Sequence, residues 1–564
     1  MALRCQAIKR QRNEEKPGMQ QPDLISANQQ TLPTLGDAAE THKRPSLVVE
    51  LGVPAGILLL ALVLRLWHLA AVTDNYDEGV YLASLRAIRE GYGLFTPVFS
   101  SQPPVFLLSL SPFIWLFGPT FLAARSGVVF FSLIGVLAMY LLGRRLGGLW
   151  VGATAALLLA GDHLFLIQSQ TIEAEGISVS LMIAAVAAAA YVERYPWQAA
   201  ALSGVATALA TLTKLYAIIA IVLIASLFLA HLITYAQPQQ GTPPFSQPEG
   251  KPFSARLLLQ RPALARAGML VGVYLTGLVL TTLLVFLPYL GQLQTVYQQA
   301  IGFHLAAGTS FASTLGQNLR LVLLNTTAAY PLVLLALLGF IVGLARRRWQ
   351  VLTAGAWTLA ALLILLRQQP LFPHHLVLLI PGLALSAALG LMPAPKTFAR
   401  EVIILQARPR RIFPALSRRQ ASMLSKGLPL SLIVGVLALN LYTTLNHPLG
   451  VSAADAARLA QVADDLRQFT TPQQTVITDD QYIAMLADRD VPPALVDTSA
   501  VRIETGYLTT TQVIAIAQQP QVGAILFYSG RFQQLSGFRT WVAQHFRLAK
   551  TYGAGQDLYL RSSP

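Results

Sequence analysis

The feature that most limits what this chain can become is its succession of long, contiguous apolar stretches, with VGATAALLLA and SLIVGVLALN at the centres of two of them. Extended at their ends, these stretches approach the ~20 residues that a helix needs to cross a hydrocarbon core. With 54% hydrophobic and only 12% charged residues, the chain cannot hide its apolar side chains in ordinary globular cores, so lipid is the expected solvent. A span must satisfy its own backbone, and the Leu/Ala/Val runs show no strict alternation, so helices are expected and barrel strands are not. Spans fit near 47–71, 122–142, 149–167, 177–192, 198–213, 215–235, 268–289, 330–345, 350–366, 375–393 and 428–445, about eleven crossings by the helix-length rule. The expected fold class is an α-helical polytopic membrane protein with a small C-terminal extracytoplasmic α/β domain.

Residues 1–46 mix Gln, Glu, Lys, Arg and Pro without a periodic apolar face, and are expected to be a disordered cytoplasmic tail. The first apolar segment lies too far from the start for a cleaved signal peptide, so it reads as a retained span. Arg144 and Arg145, Arg194, the group Lys251/Arg256/Arg261/Arg266, the run Arg346/Arg347/Arg348 and the Arg-rich stretch from Lys396 to Lys426 fall on one face by alternation, which the positive-inside bias assigns to the cytoplasm. The net charge of +15 is then a topological signal and an attraction to anionic membrane lipids, and no nucleic-acid partner is needed to explain it. Cys5, the only cysteine, lies in the tail, which excludes disulfides and cysteine metal sites in the outer domain. The bundle is expected over 47–445 with a first external loop at 73–121, in a plasma membrane, with a cytoplasmic N-terminus. After it, residues 446–564 alternate polar helices such as SAADAARLAQVADDLRQF with short strands, TVIT, VGAILFYS and DLYLR, which predicts the extracytoplasmic α/β domain.

The first external loop is long, and the apolar spacing Val80, Leu82, Leu85, Ile88 suits a helix lying in the interface, followed by a Pro-Pro break and a second short apolar segment. Asp77 and Glu78 open that helix, where they either cap its free N–H groups or face a reaction site. Glu173 and Glu175 in QSQTIEAEG put further carboxylates on the same side, as an aqueous cavity there or a solvated turn would require. Lys214 interrupts GVATALATLTKLYAIIAIVLI at the turn of a tight hairpin, and with Arg125 and Arg367 it stands on the face where the positive-inside bias works against cations. Such cations either snorkel to headgroups or hold an anion. His374 and His375, in LFPHHLVLLI, could bond a phosphate, ligate a metal or sit at the interface. Together these residues describe a phosphate-binding site with a base beside it.

YDEG with its following Pro-Pro segment, AARSGVVF, SQTIEAEG, GVATALATLTK and, later, FPHHLVLLIPGLAL occur in an order that resembles the GT-C superfamily of lipid-phosphate-sugar-dependent glycosyltransferases, especially bacterial relatives of protein O-mannosyltransferases and aminoarabinose transferases. The resemblance implies a polyprenyl-phosphate-monosaccharide donor, with a hexose such as mannose as the sugar. It implies Asp77 as the base that takes a proton from the acceptor hydroxyl, with Glu78 beside it in the catalytic pair, and inversion at the anomeric carbon. It further implies Glu175 as the group orienting the acceptor or a basic partner, and Lys214, Arg125, Arg367 and His375 as ligands of the lipid phosphate. The acceptor would be a lipid, glycan or protein. Gln102 and Gln170 stand where many relatives carry basic residues, which removes one phosphate contact. No cofactor is expected. Some members of the superfamily use a divalent metal, which leaves a divalent metal open here, but the sequence spacing shows no tight His/Asp/Glu ligand set, so no metal ligands are assigned, with His304 a distant candidate.

Other classes make different demands. A polytopic transporter or lipid flippase would also need many spans, but it predicts internal repeats, which the two halves of the sequence lack. A structural or assembly protein would leave the acids and Lys214 freely replaceable. A nucleotide-sugar donor would call for a Gly-rich phosphate loop, and none is present.

Overall fold

The computed structural model describes residues 46–236, 261–326, 329–393 and 418–562. The expected N-terminal tail up to residue 45 with Cys5, the cations Lys251 and Arg256, and residues 396–417 of the Arg-rich stretch lie outside the described residues. The chain divides into a unit Met1–Glu50, described only from residue 46, and a compact unit Leu51–Pro564.

Sixteen labelled helices run through the apolar part. They are α1 (Leu47–Leu66), α2 (Tyr76–Arg89), α3 (Val105–Phe117), α4 (Phe121–Gly147), α5 (Leu149–Gly161), α6 (His163–Gln168), α7 (Ala174–Ala190), α8 (Pro196–Thr213), α9 (Ala220–Ala236), α10 (Arg261–Phe286), α11 (Leu293–Tyr297), α12 (Phe303–Ser310), α13 (Leu315–Asn325), α14 (Tyr330–Ala345), α15 (Val351–Arg367) and α16 (Ile380–Leu391), followed by a helix over Arg418–Asn446. Among the described residues, six helical segments are long and apolar enough to cross a membrane: Val48–Leu66, Phe121–Gly147, Leu215–Leu232, Leu264–Ser310, Pro373–Leu391 and Gly427–Asn446. Each overlaps an expected span, and Leu264–Ser310 runs on well past the one expected near 268–289. Four shorter apolar helices, α3, α5, α7 and α15, accompany them. The segment expected as one span near 149–167 is broken because Asp162 accepts a hydrogen bond from the Phe165 N–H at 3.0 Å, ending α5 and capping α6.

The helices give the bundle two distinct ends. Helix α4 begins beside Thr73 and Leu69, to whose Oγ and carbonyl its Arg125 donates, and it ends with Arg144 and Arg145 a full span away. Helix α7 leaves the first end at Glu175 and reaches the second near Glu193, which pairs with Arg145. Helix α8 returns to Lys214. The segment over 373–391 runs from His374 to Gly390, whose carbonyl Arg346 meets at 3.3 Å. Arg144, Arg145 and Arg346–Arg348 therefore gather at one end, and the loop with Asp77, Glu173, Lys214 and His374 at the other.

At the end that holds Asp77 and Lys214 sits the four-stranded sheet β1 (Thr475–Thr478), β2 (Val522–Phe527), β3 (Phe546–Gly553) and β4 (Gln556–Arg561), in the order β1-β2-β4-β3, with β1 parallel to β2 and the other pairs antiparallel. Alternation along β2 feeds two cores: Ile525 and Phe527 pack with Phe532, Phe538 and Val542 on one face, and Ala524 and Leu526 with Val462, Leu466 and Ile483 on the other. Helix α2 does not lie in an interface as its spacing suggested. It is buried along Glu78–Leu85 and packs between α3 and the sheet domain's helix Gln481–Leu486. Tyr482 Oη accepts the Thr73 N–H at 2.8 Å, and Arg86 reaches Asp488 at 2.7 Å and Asp490 at 2.8 Å. Both faces of α2 are covered by protein, so its apolar stripe is core.

Candidate active site

A cavity of about 430 Å³ opens where the bundle meets the sheet domain. Its inner wall is formed by Glu173 and Glu175 at the start of α7, Lys214 after α8, and His374 and His375 before α16. The start of α2 with Asp77, Ser101 and Gln102 of the Pro-Pro loop, and His304 of α12 form the sides, while Asp497, Ser499 and Arg531 of the sheet domain form the outer wall.

Asn75 decides how α2 begins. Its side-chain oxygen accepts the N–H groups of Asp77 at 3.0 Å and Glu78 at 3.4 Å, so the cap position is filled and neither acid serves as the cap. One residue of helix rotation then separates the two fates. Asp77 is half-buried and lines the cavity. Desolvation pushes its carboxyl up to about 6, opposed by His374 and reinforced by Glu173, Asp497 and Glu175.

Glu78 is fully buried and points the other way. Its Oε1 accepts from Arg125 Nε at 2.8 Å and the Ile172 N–H at 2.9 Å; its Oε2 accepts from Arg125 Nη2 at 2.6 Å and Thr73 Oγ1 at 2.7 Å. Arg125 spends its remaining Nη1 donors on the carbonyls of Leu69 and Ala71. This is a bidentate pair with every lone pair in use, and neither member lines the cavity. The expectation that Glu78 acts beside Asp77 and that Arg125 receives a phosphate is therefore corrected: the pair ties the α1–α2 connection, α2, α4 and the α6–α7 turn together. Arg367 is likewise placed elsewhere, exposed at the end of α15 and outside the cavity lining. Gln170 donates to the carbonyls of Arg65 at 2.9 Å and Trp67 at 2.6 Å, closing the end of α1, whereas Gln102 does line the cavity.

Glu175 forms a buried ion pair with Lys214 Nζ, and its Oε1 also lies 3.5 Å from His374 Nε2 and 3.6 Å from His375 Nε2. Glu173 accepts from Asn75 Nδ2 at 2.6 Å, and burial with the nearby Glu175 pushes its carboxyl up to about 7. The Phe372 N–H donates to His375 Nδ1 at 3.2 Å, which puts the proton of a neutral His375 on Nε2, toward Glu175. Two sets of three groups, Asp77/Glu173/His374 and Glu175/His374/His375, bring ligand atoms within 4.8 Å of one another. These side chains could hold a divalent cation, so the expectation that no ligand set exists is also corrected: the set is assembled by contacts between segments, which sequence spacing does not display. His304 is outside both sets, with Nε2 2.8 Å from the Ser101 carbonyl.

The profile of the dolichyl-phosphate-mannose-protein mannosyltransferase family matches residues 101–237, the segment from the Pro-Pro loop to the end of α9. No curated protein matches the chain in sequence. Among solved structures, ArnT from Cupriavidus metallidurans in the apo state superposes with a TM-score of 0.57 at 14% identity, covering 90% of this chain and 97% of that one. The chain has the fold of the GT-C membrane glycosyltransferases. The same ArnT bound to undecaprenyl phosphate matches with a TM-score of 0.55 at 14% identity, over 91% of this chain and 98% of that one. The likeness in fold covers nine-tenths of the chain, and with the six long apolar segments among the described residues it supports a multi-pass membrane protein. Asp77 precedes the profile match, while Glu173, Glu175 and Lys214 fall inside it.

Asn75, Asp497 and Arg531 were not singled out from sequence. Asn75 directly precedes YDEG, and an Asn before a helix is a recognisable capping signal. Nothing local marks Asp497 or Arg531, whose place at the cavity depends on how the sheet domain docks.

Proposed function

We propose that the protein is an inverting glycosyltransferase that moves a monosaccharide from a polyprenyl-phosphate-sugar donor to an acceptor hydroxyl on the external membrane face. One observation carries this reading: a single cavity at the bundle end gathers a half-buried carboxylate, Asp77, with a cluster of cations and imidazoles, Lys214, His374 and His375. Asp77 takes the acceptor hydroxyl's proton. The freed oxygen attacks the anomeric carbon, the bond from that carbon to the phosphate oxygen breaks, and the polyprenyl phosphate departs with the electron pair. A carboxyl raised to about 6 is matched to proton abstraction near neutral pH better than an ordinary one.

Lys214, with His374 and His375, faces the departing phosphate, and Glu175 holds Lys214 in place, which favours the basic-partner role over direct acceptor contact. A divalent cation on either His/Asp/Glu set would add positive charge at the same wall; the protein's own residues bind, orient and move the proton without further steps. The gathering of Arg144, Arg145 and Arg346–Arg348 at the opposite end supports a plasma-membrane protein with its cavity outside. A hexose such as mannose is the proposed sugar, in keeping with the matched family profile.

The deciding experiment compares transfer of labelled sugar from polyprenyl-phosphate-mannose and polyprenyl-phosphate-glucose by membranes holding wild type or Asp77→Asn at equal folded abundance. Transfer or donor hydrolysis lost only in the variant supports both the class and the base. Equal turnover by the two proteins would remove Asp77 from the mechanism, and consumption of neither hexose donor by wild type would overturn the hexose assignment.

A further inference from the structure

The outer wall of the cavity belongs to the sheet domain, and it carries one cation. Arg531 opens the short 3-10 turn Arg531–Gln534 after β2, and the loop bearing it is anchored by Asp479, whose carboxylate accepts the N–H groups of Tyr528 at 2.7 Å, Ser529 at 3.1 Å and Phe532 at 3.3 Å. The guanidinium lies over the Tyr76 ring, 3.7 Å from its centroid. Tyr76 is itself fixed: its hydroxyl donates to Asp497 Oδ1 at 3.2 Å and accepts the Thr498 N–H at 2.8 Å. Stacking fixes the plane of a guanidinium and leaves its edge of N–H donors free, the geometry in which arginine binds oxyanions as a fork.

Those donors are little used. Among the described residues, Arg531 forms no ion pair, and its hydrogen bond to protein is a long one, from Nη1 to the Asp479 carbonyl at 3.3 Å. Lys214, on the opposite wall, is neutralised by Glu175, and Arg502, behind Arg531, spends its Nη1 on the carbonyls of Ala494 and Asp497 while stacking on Phe99 at 4.0 Å. Arg531 is thus a held, half-exposed cation with open donors on the wall of a cavity whose side presents the base.

We propose that Arg531 is a substrate-binding residue that receives a phosphoryl group at the outer wall. This rests on the glycosyltransferase reading above, and assigns to the sheet domain a direct part in it. The group is the phosphate of the lipid-linked donor or a phosphate borne by the acceptor, and the two are separable.

The test uses purified full-length protein in lipid nanodiscs, as wild type, Arg531→Gln and Arg531→Lys, with undecaprenyl phosphate as the first probe. Should Arg531 hold the donor phosphate, affinity falls about tenfold in Arg531→Gln and is partly restored in Arg531→Lys, which keeps charge and loses the fork. Should it serve the acceptor, undecaprenyl phosphate binds all three alike; with that lipid saturating, glycerol 3-phosphate then binds wild type and not Arg531→Gln. Protection of Arg531 from phenylglyoxal by the bound probe, read by mass spectrometry, gives the same answer without a variant. Both probes binding wild type and Arg531→Gln equally, with no protection, overturns the proposal while leaving the glycosyltransferase reading intact. Undecaprenyl phosphate failing to bind wild type at all would sink that reading, and this one with it.

Discussion

Adjacent acids in this chain meet opposite environments, and the difference is testable one residue at a time. Asp77→Asn should lower transfer by about 10²–10⁴-fold, the usual contribution of a general base, with undecaprenyl phosphate binding retained. In wild type, Asp77 acts only when ionised, so the rate should rise roughly tenfold per pH unit below about 6 and level off above it. Stability should run the other way. Asp77 and Glu173 hold their protons more tightly folded than unfolded, so their contribution is complete below the ordinary carboxylate range and is lost as pH rises through about 6 and about 7. Asp77→Asn should therefore melt above wild type at about pH 8. Glu78 is the contrasting case: Arg125→Met strands its carboxylate, fully buried, without its partner cation, at a cost of about 3–5 kcal/mol, so folded yield should collapse along with activity. A folded, inactive Arg125→Met would restore that arginine to the site. The sequence marked the acidic pair without separating its members, because the choice is made by Asn75, which sets the start of α2, and by Glu173 and Arg125, which lie 98 and 47 residues away from their respective partners, Asn75 and Glu78.

At the scale of elements, the docking of α2 against the sheet domain rests on a glycine. A Cβ built on Gly79 would lie 2.2 Å from the Tyr482 nitrogen and 2.6 Å from its Cα, both backbone atoms that cannot step aside. Gly79→Ala must therefore push α2, and Asp77 with it, off the helix Gln481–Leu486. A shift near 1 Å at a reacting group costs about 10²-fold in rate, and that loss is the expected result, with Gly56→Ala in α1, where a Cβ meets nothing within 4 Å, as the silent control. Full activity in Gly79→Ala would show that α2 does not need this contact to place the base. The glycine of YDEG was legible as part of a motif, and its reason was not, since Tyr482 is four hundred residues downstream. Strands β1, β2 and β4 were legible from their apolar content. Strand β3 was missed because FRLAKTYG is an exposed edge with little alternation, and it forms by pairing back on β4 through Gly555, whose φ of 79° turns the hairpin.

The whole molecule makes one demand that no single site does: the cavity, the sheet domain and the acids stand at one end of the bundle and the arginine turns at the other, so orientation in the membrane decides which substrates can reach Asp77. Lipid-linked sugars for external transfer require the cavity outside, and the clustered arginines agree through the positive-inside bias. The sequence favours a direct measurement, since Cys5 is the only cysteine and Cys5→Ser leaves a background free of thiols. Into it go Ser536→Cys, on an exposed turn of the sheet domain, and Trp349→Cys, whose side chain is 63% exposed beside the Arg346–Arg348 turn. In intact cells a membrane-impermeant maleimide should label Ser536→Cys at once and Trp349→Cys only after permeabilisation. The reverse pattern would put Asp77 on the cytoplasmic side, where nucleotide-activated sugars are available, and would replace the polyprenyl-phosphate donor with a different class while leaving the base and its cavity unchanged. Labelling of both in intact cells would mean that the two ends are not separated by a membrane, against the six long apolar helices that run between them.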